Sequence, residues 1–428
     1  MKRDDFFKAL GLVTGGIALS GINRLYGEGS EFSRNLNAAG TDDDFWRIIR
    51  EQFVFPRDYT YLNTGGIGAL PSLVINRVVT SLNEQERYPR PGHGIESWQE
   101  IKKSCAPLLG PGTIPEEIAL ISCATEGINI ILNGLGLKNG DEIITSSHEH
   151  QAVHIPVLNH HRFNGVGVKV FEPDTRNAEG NITRIKNLIS SKTRLIIISH
   201  VTCTTGQIFP IREISEMAGS EGISFAVDGA QAPGGIEVDL EELGMDYYTC
   251  SGHKWMLGPK RTGILYVPGR NLEKLQPTTV GAYSDAGYDV DSLSLKLQDS
   301  AQRFEFGTQN EPLYLGLAAG ARFINTIGPS RVRSHNRELA EAFYQGLKGI
   351  EGVEILSPGE ENYRSSLITF RIPGRDAGDI SAYLGKNRIR VRVVNEAALN
   401  GVRVSFHVYN QMFEVDQILK KISEYVKS

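Results

Sequence analysis

Ser251-Gly252-His253-Lys254-Trp255 and the upstream Val227-Asp228-Gly229-Ala230-Gln231 place a lysine amine, a carboxylate and several hydrogen-bonding groups at the ends of two apolar runs. A lysine is ordinarily a solvated surface charge. Lys254 instead follows an apolar stretch and a Ser-Gly turn, and a histidine and a tryptophan flank it. An amine so placed can bond covalently to a carbonyl. A carboxylate at a buried strand end, such as Asp228, is costly without a cationic partner. The protonated pyridine nitrogen of pyridoxal phosphate (PLP) would be such a partner, and the carboxylate would keep that ring electron-poor. The two segments therefore carry the groups needed to hold PLP, with Lys254 as its attachment point and proton shuttle at the substrate Cα.

Such groups need a scaffold that brings them together. Five short apolar runs, Ile118 to Ile121, Glu142 to Ile144, Leu195 to Ile198, Ile223 to Val227 and Tyr247 to Tyr248, each pass into polar, chemically capable residues. They lead to Ser122 through Gly127, Ser147-His148-Glu149-His150, His200 through Cys203, Asp228 through Gln231, and Ser251 through Lys254. Continuous apolar runs are the mark of buried parallel strands, and open α/β sheets bind ligands at the carboxyl ends of those strands. The alternation of strand-like and helix-like segments beyond Thr41 predicts an α/β sheet with the five loops on one site. Thr125-Glu126-Gly127 opens a helical pattern (Ile128, Ile131, Leu132), and a helix amino terminus with a threonine hydroxyl suits a phosphate; the plainer reading is a threonine N-cap. Ser251 and His253 can complete that phosphate shell.

At 428 residues the chain exceeds one ordinary core and predicts a large domain with a smaller companion. A net charge of −5 without long charged blocks gives no nucleic-acid footprint. The four cysteines, Cys105, Cys123, Cys203 and Cys250, lack paired spacing and read as reduced, mostly buried thiols.

The amino terminus, Met1-Lys2-Arg3-Asp4-Asp5-Phe6-Phe7-Lys8 followed by the apolar, glycine-containing Ala9 to Ile22, has the form of an export signal too short for a comfortable membrane span. It resembles a twin-arginine leader with Asp4 in place of the second arginine. The alternative is an amino-terminal helix or tail of a cytoplasmic protein. Residues 28–40 read as a linker.

The histidines His148, His150, His154, His160 and His161 invite a zinc reading, but no HExxH or paired-cysteine set accompanies them, and no metal is expected. Gly65-Gly66-Ile67-Gly68 and Gly134-Leu135-Gly136 match no phosphate-binding fingerprint and read as turns.

The ordered motifs ATEGIN, EHQAV, VDGAQ, SGHKW and FEFGTQN, spread over roughly Thr60 to Lys427, resemble the class V aminotransferase family of fold-type I PLP enzymes. The likeness is to the group containing cysteine desulfurases and isopenicillin N epimerase. It implies a large, mostly parallel sheet domain at 41–325 and a small C-terminal α+β domain at 326–428, after a signal and linker at 1–40. It also implies that Lys254 carries the cofactor, Asp228 meets the pyridine nitrogen, Gln231 the ring hydroxyl, and that His150 stacks on the ring. Thr125, Ser251 and His253 would hold the phosphate, and Thr308 would reach in from the other subunit of a homodimer. Arg403 would grip the α-carboxylate of an amino-acid substrate. Desulfurases carry a nucleophilic cysteine between the positions of Arg392 and Arg403, whereas this chain has none after Cys250. Cys203 stands where desulfurases usually have an asparagine near the ring, and Ala124 where a threonine commonly precedes Thr125. Tyr61 to Gly66 and His200 to Gly206 look closer to the epimerase-like branch. The expectation is a PLP enzyme acting on an amino-acid-type substrate by transamination or epimerisation, with C–S or C–Se β-elimination as the alternative. A PLP-binding protein without turnover is the rival from another class; the intact Lys254 and Asp228 argue against it.

Overall fold

The structure is a computed structural model that describes residues 31–89, 94–177 and 179–428. The leader-like stretch 1–30 lies outside the described residues. Seven strands form the main sheet: β1 (Ile118–Ile121), β2 (Glu142–Ser146), β3 (Gly167–Phe171), β4 (Thr193–Ser199), β5 (Ser224–Asp228), β6 (Tyr247–Ser251) and β7 (Gly263–Tyr266). Their order is β1-β7-β6-β5-β4-β2-β3. Pairs among β2 to β6 are parallel, while β7 runs antiparallel to both β6 and β1. Because β7 is the sole reversed strand of this sheet, all five runs expected from the sequence point the same way. Their polar loops leave one edge, as the apolar patterning requires.

Each expected run is a strand of this sheet, several longer than the apolar core that signals them. Leu195 to Ile198 sits inside β4, and Tyr247 to Tyr248 opens β6, which continues through Thr249, Cys250 and Ser251. The sheet's residues are apolar on both faces, since helices cover both. Ile128, Ile131 and Leu132 of the helix Ala124–Gly134 pack on one face, with Val153 and Val157 of Gln151–Asn164. Ile211 and Ile214 of Ile211–Ser220 join the core on the other face. Gly165, at φ 67°, closes the helix Gln151–Asn164 in a left-handed cap that glycine adopts without steric cost.

A second, antiparallel sheet follows: β8 (Glu354–Ile355), β9 (Leu367–Arg371), β10 (Arg392–Val394) and β11 (Gly401–Ser405), ordered β8-β9-β11-β10. Helices Pro329–Lys348, Ala377–Lys386 and Met412–Val426 cover it around a separate apolar core that includes Phe343, Phe370, Val404 and Ile418. Leu62 is buried in this same core, because Thr60-Tyr61 pairs in parallel with Ile389-Arg390 and Asn63 bridges to Ser405. The stretch after Leu62 therefore passes from the second sheet to the main sheet's loops.

Candidate active site

Lys254 sits in the connection between β6 and β7, which is fastened at its base. Gly252 N donates to Thr262 O and Gly258 N to Gly252 O, both at 2.8 Å. The lysine is 8% exposed. Burial pulls its amine below the usual lysine range, and the Asp228 carboxylate opposes that pull. An amine with a depressed pKa spends more time as the free base that attacks a carbonyl.

Asp228 ends β5. Its Oδ1 accepts the Ala230 amide at 2.9 Å, and burial raises its pKa against the opposing pull of the Lys254 charge and that amide. Among the described residues no side chain donates to Asp228, so a buried carboxylate within reach of the Lys254 charge keeps acceptor capacity for a cationic nitrogen. Gln231 is held at both ends: its Nε2 donates to Gly65 O at 2.9 Å and its Oε1 accepts from the Trp255 indole at 2.8 Å.

Ser251 Oγ accepts the amide of Ala124 at 3.1 Å and so ties β6 to the start of the helix Ala124–Gly134. Thr125 is exposed at that helix's second position. His253 is half-buried, and its Nδ1 is a buried nitrogen without a partner among the described residues. Burial, then the charges of Lys254 and Lys260, push its imidazole down to about 4. His150 caps the helix Gln151–Asn164, its Nδ1 accepting Ala152 N at 3.1 Å. Burial, then Lys254, push it to about 4, so its ring is neutral near pH 7 and fit to lie on an aromatic face. Cys203 is buried, and burial pushes its thiol up to about 11. Thr308 is exposed in the loop before the helix Glu311–Ile327. Arg403 lies fully buried in β11, where its Nη1 donates to Cys203 O at 2.6 Å and its Nη2 to Asn63 Oδ1 at 3.4 Å. Its Nε has no acceptor among the described residues.

Lys254 thus lies within electrostatic reach of Asp228, His150, Cys203 and Arg403, which define the space around it. Three features of that space escape the sequence reading. Gly65 to Gly68 is part of the site: Gly68 N donates to His253 O at 2.8 Å, and a Cβ on Gly68 would stand 2.0 Å from Lys254 O. A Cβ on Gly65 would meet Arg403 Nη2 at 2.9 Å and Gln231 Oε1 at 3.1 Å. Glu149, the neighbour of His150, is fully buried between Ser146 Oγ at 2.6 Å and Ser199 Oγ at 2.5 Å, and burial lifts its carboxyl to about 7. Arg392 faces Arg403 across the strand pair and is ion-paired with Glu396. The signal for Glu149 was a carboxylate in the short polar loop that leaves β2, three residues past Ser146; the glycines gave none beyond their spacing. The remaining histidines of the cluster have separate partners: His148 with Glu172, His154 with Ser146 O, His160 with Asn133 and His161 with Val166 O.

These features fit PLP: a buried amine, a carboxylate open to a pyridinium, a neutral imidazole, a His253 nitrogen unpartnered among the described residues, a serine tied to a helix amino terminus, and glycines that keep side chains out. The family profile described as Aminotransferase class-V matches residues 90–418. A probable cysteine desulfurase of Pyrococcus abyssi is 31% identical over 347 residues, 78% of this chain and 84% of that protein. One of Methanothermobacter thermautotrophicus is 27% identical, covering 88% and 97%. Among solved structures, the apo cysteine desulfurase of Thermococcus onnurineus superposes with a TM-score of 0.78 at 28% identity, covering 89% of this chain and 98% of that one. The cystine C–S lyase C-DES, in complex with its reaction product cysteine persulfide, superposes with a TM-score of 0.78 at 25% identity, covering 86% and 98%.

Proposed function

This chain belongs to the class V aminotransferase family, and within it we propose a lyase that breaks the Cβ–S bond of a cysteine- or cystine-type amino acid without a protein thiol. It is a PLP-dependent enzyme of fold type I. The bound PLP supplies the electron sink that makes the substrate Cα–H acidic. Arg403 receives the α-carboxylate, with its unpartnered Nε and the second hydrogen of Nη2 as the donor edge. Lys254 takes the Cα proton, its amine kept basic but not permanently charged by burial against Asp228. The Cβ–S bond then breaks, sulfur leaves with the electron pair and gains a proton, and water converts the carbon fragment to pyruvate and ammonium. His253, Ser251 and Thr125 hold the phosphate, and Gln231 with Trp255 fixes the ring's edge.

The observation that carries this reading is the place of the thiols. Sulfur transfer to the enzyme needs an accessible thiolate beside the substrate. The segment from Arg392 to Arg403 contains no cysteine, and Cys203, the thiol nearest this chemistry, is buried and held protonated by a pKa near 11. Sulfur therefore has to leave on its own or with the other half of a disulfide substrate. C-DES, which is described as a cystine C–S lyase, supports that choice among the relatives. Epimerisation, which stood beside transamination in the expectation from sequence, also needs a second proton carrier, and the His150 imidazole, pushed to about 4, is a weak base for that task. Incubating the holoenzyme with L-cystine and L-cysteine tests the proposal. Pyruvate, ammonium and free sulfide or persulfide in equal amounts support it. Racemised substrate, keto acid with retained sulfur, or a persulfide on Cys123 or Cys203 contradicts it.

We further propose a homodimer. The hairpin Asp285–Asp289/Ser294–Leu297 exposes Tyr288, Val290, Leu293 and Leu295, an apolar surface that a second copy would cover, and Thr308 would then face the neighbouring site. Light scattering that gives a monomer would contradict this. Export through the twin-arginine-like leader is also proposed, on the Arg3, Phe6, Phe7 and Lys8 pattern. A reporter fused to residues 1–40 should reach the periplasm, and Asp4→Arg should increase that export; a reporter that stays cytoplasmic in both forms would contradict it. No helix among the described residues is long and apolar enough to cross a membrane.

A further inference from the structure

The strand pair that supplies Arg403 carries a second arginine in register with it. Arg392 and Arg403 are directly opposed on β10 and β11, a placement that brings like charges together and is unfavourable unless an anion intervenes. Each guanidinium keeps a buried nitrogen without an acceptor among the described residues, Nη1 of Arg392 and Nε of Arg403. One carboxylate answers them: Glu396, 16% exposed at its side chain, hydrogen-bonds and ion-pairs with Arg392 Nη2. Burial raises the Glu396 carboxyl, but Arg392 more than offsets this and holds it below its usual range, so it is ionised near pH 7.

Glu396 is presented by an unusual backbone. The six-residue connection from β10 to β11 places Ala397, Ala398 and Asn400 at φ 50°, 53° and 46°, a left-handed region that alanine seldom occupies. Strain of this kind persists where the surroundings fix the chain. Here it keeps the carboxylate on Arg392, within electrostatic reach of Arg403, Cys203 and His150.

We propose that Glu396 sets the charge specificity of the substrate pocket: by occupying Arg392 it leaves Arg403 as the one anion-binding guanidinium. The pocket then accepts amino acids whose side chains bring no net charge, cysteine and cystine among them because the distal half of cystine pairs its carboxylate with an ammonium, and turns away those whose side chains are net anionic. This rests on the reading of Arg403 as the α-carboxylate partner. It does not depend on which bond the enzyme breaks. A substrate with a net anionic side chain, such as aspartate, would have to displace Glu396 from Arg392 and leave two carboxylates beside one guanidinium. Rejection by like charge is a common route to specificity. Without Glu396, Arg392 becomes a second anion site opposite the first.

The test uses two ligands that lack a Cα hydrogen and so bind without proton removal, α-methylalanine and α-methyl-L-aspartate, titrated calorimetrically into the holoenzyme. Glu396→Gln should tighten α-methyl-L-aspartate by about tenfold or more and change α-methylalanine by no more than about threefold. Adding Arg392→Met to Glu396→Gln should abolish the gain. Glu396→Asp, which keeps the charge, should retain the wild-type ratio of the two affinities and guards against a merely structural effect. Equal changes for both ligands, no gain, a gain that survives Arg392→Met, or a Glu396→Asp ratio shifted as far as that of Glu396→Gln overturns the proposal. Failure of both ligands to bind the wild type, with Arg403→Ala no different, would instead remove the Arg403 reading beneath it. Because neither ligand can undergo elimination, the lyase proposal is tested separately by its products.

Discussion

Glu149 makes the stability of this protein depend on pH in a way that one substitution should remove. Its carboxyl titrates near 4.5 when free and near 7 in the fold, because burial disfavours the charged form and the nearby Asp228 adds to that effect. The folded state therefore retains a proton between those two values that the unfolded chain has already lost. Stability from this group falls as pH rises from about 4.5 to about 7 and is flat above. A displacement of two to three pKa units corresponds to about 3 kcal/mol over that window, an upper figure because the surroundings relax around a charge. Glu149→Gln keeps a donor and an acceptor between Ser146 and Ser199 but does not titrate. Buried histidines also titrate below pH 6.5, so the informative quantity is the difference between the two proteins. For a chain of this length melting as one unit, about 1 kcal/mol moves the melting temperature by roughly 1 °C. Relative to the wild type, Glu149→Gln should gain about 3 °C between pH 5 and pH 8, measured by scanning fluorimetry. Parallel melting profiles for the two proteins across that range would refute the assignment of a protonated Glu149.

Arg403→Ala should weaken binding of the substrate by about 2–5 kcal/mol while PLP content stays normal, measured by calorimetry and cofactor absorbance; unchanged affinity would move the carboxylate partner to Arg392. Gly68→Ala inserts a methyl group 2.0 Å from the carbonyl oxygen of Lys254. It should cost about 1–3 kcal/mol in melting experiments and shift the cofactor's absorbance, and a variant that is both stable and spectrally unchanged would show that the glycine loop does not set the lysine's position. Lys102→Ala strips the partner from Glu305, whose buried carboxylate also takes the amide of Leu120 at 2.7 Å and the indole of Trp98 at 2.8 Å. A loss of about 3–5 kcal/mol is expected on unfolding, and a loss below about 1 kcal/mol would place the ion pair outside the protein's stabilising interactions.

The main sheet was legible because most of its strands carry short apolar runs, rich in Ile, Leu and Val or, in β6, opened by two tyrosines, that change abruptly to polar residues. That contrast also located Lys254, Asp228, His150 and Cys203, since a buried parallel strand delivers whatever follows it to one edge of the sheet. The register of β10 against β11 was not legible. The segment between Val391 and Ser405 is too short and mixed for periodicity to fix a hairpin, and so the face-to-face pairing of Arg392 and Arg403 emerged only from the backbone. Gly65 to Gly68 was read as a turn because close approach between two backbones leaves no side-chain pattern to detect. The antiparallel β7 was hidden for a different reason: Gly263 to Tyr266 is as apolar as the strands that run parallel to one another, and strand direction is set by the length of the connection rather than by composition.

The most direct measurement of the central claim is the site of cofactor attachment. The purified holoenzyme, treated with borohydride to fix the lysine–cofactor bond and then digested, should yield a phosphopyridoxyl group on the peptide that contains Lys254, and on no other. Lys254→Ala should carry none. A phosphopyridoxyl group on a different lysine, or no attachment in a protein that retains PLP absorbance, would contradict the account.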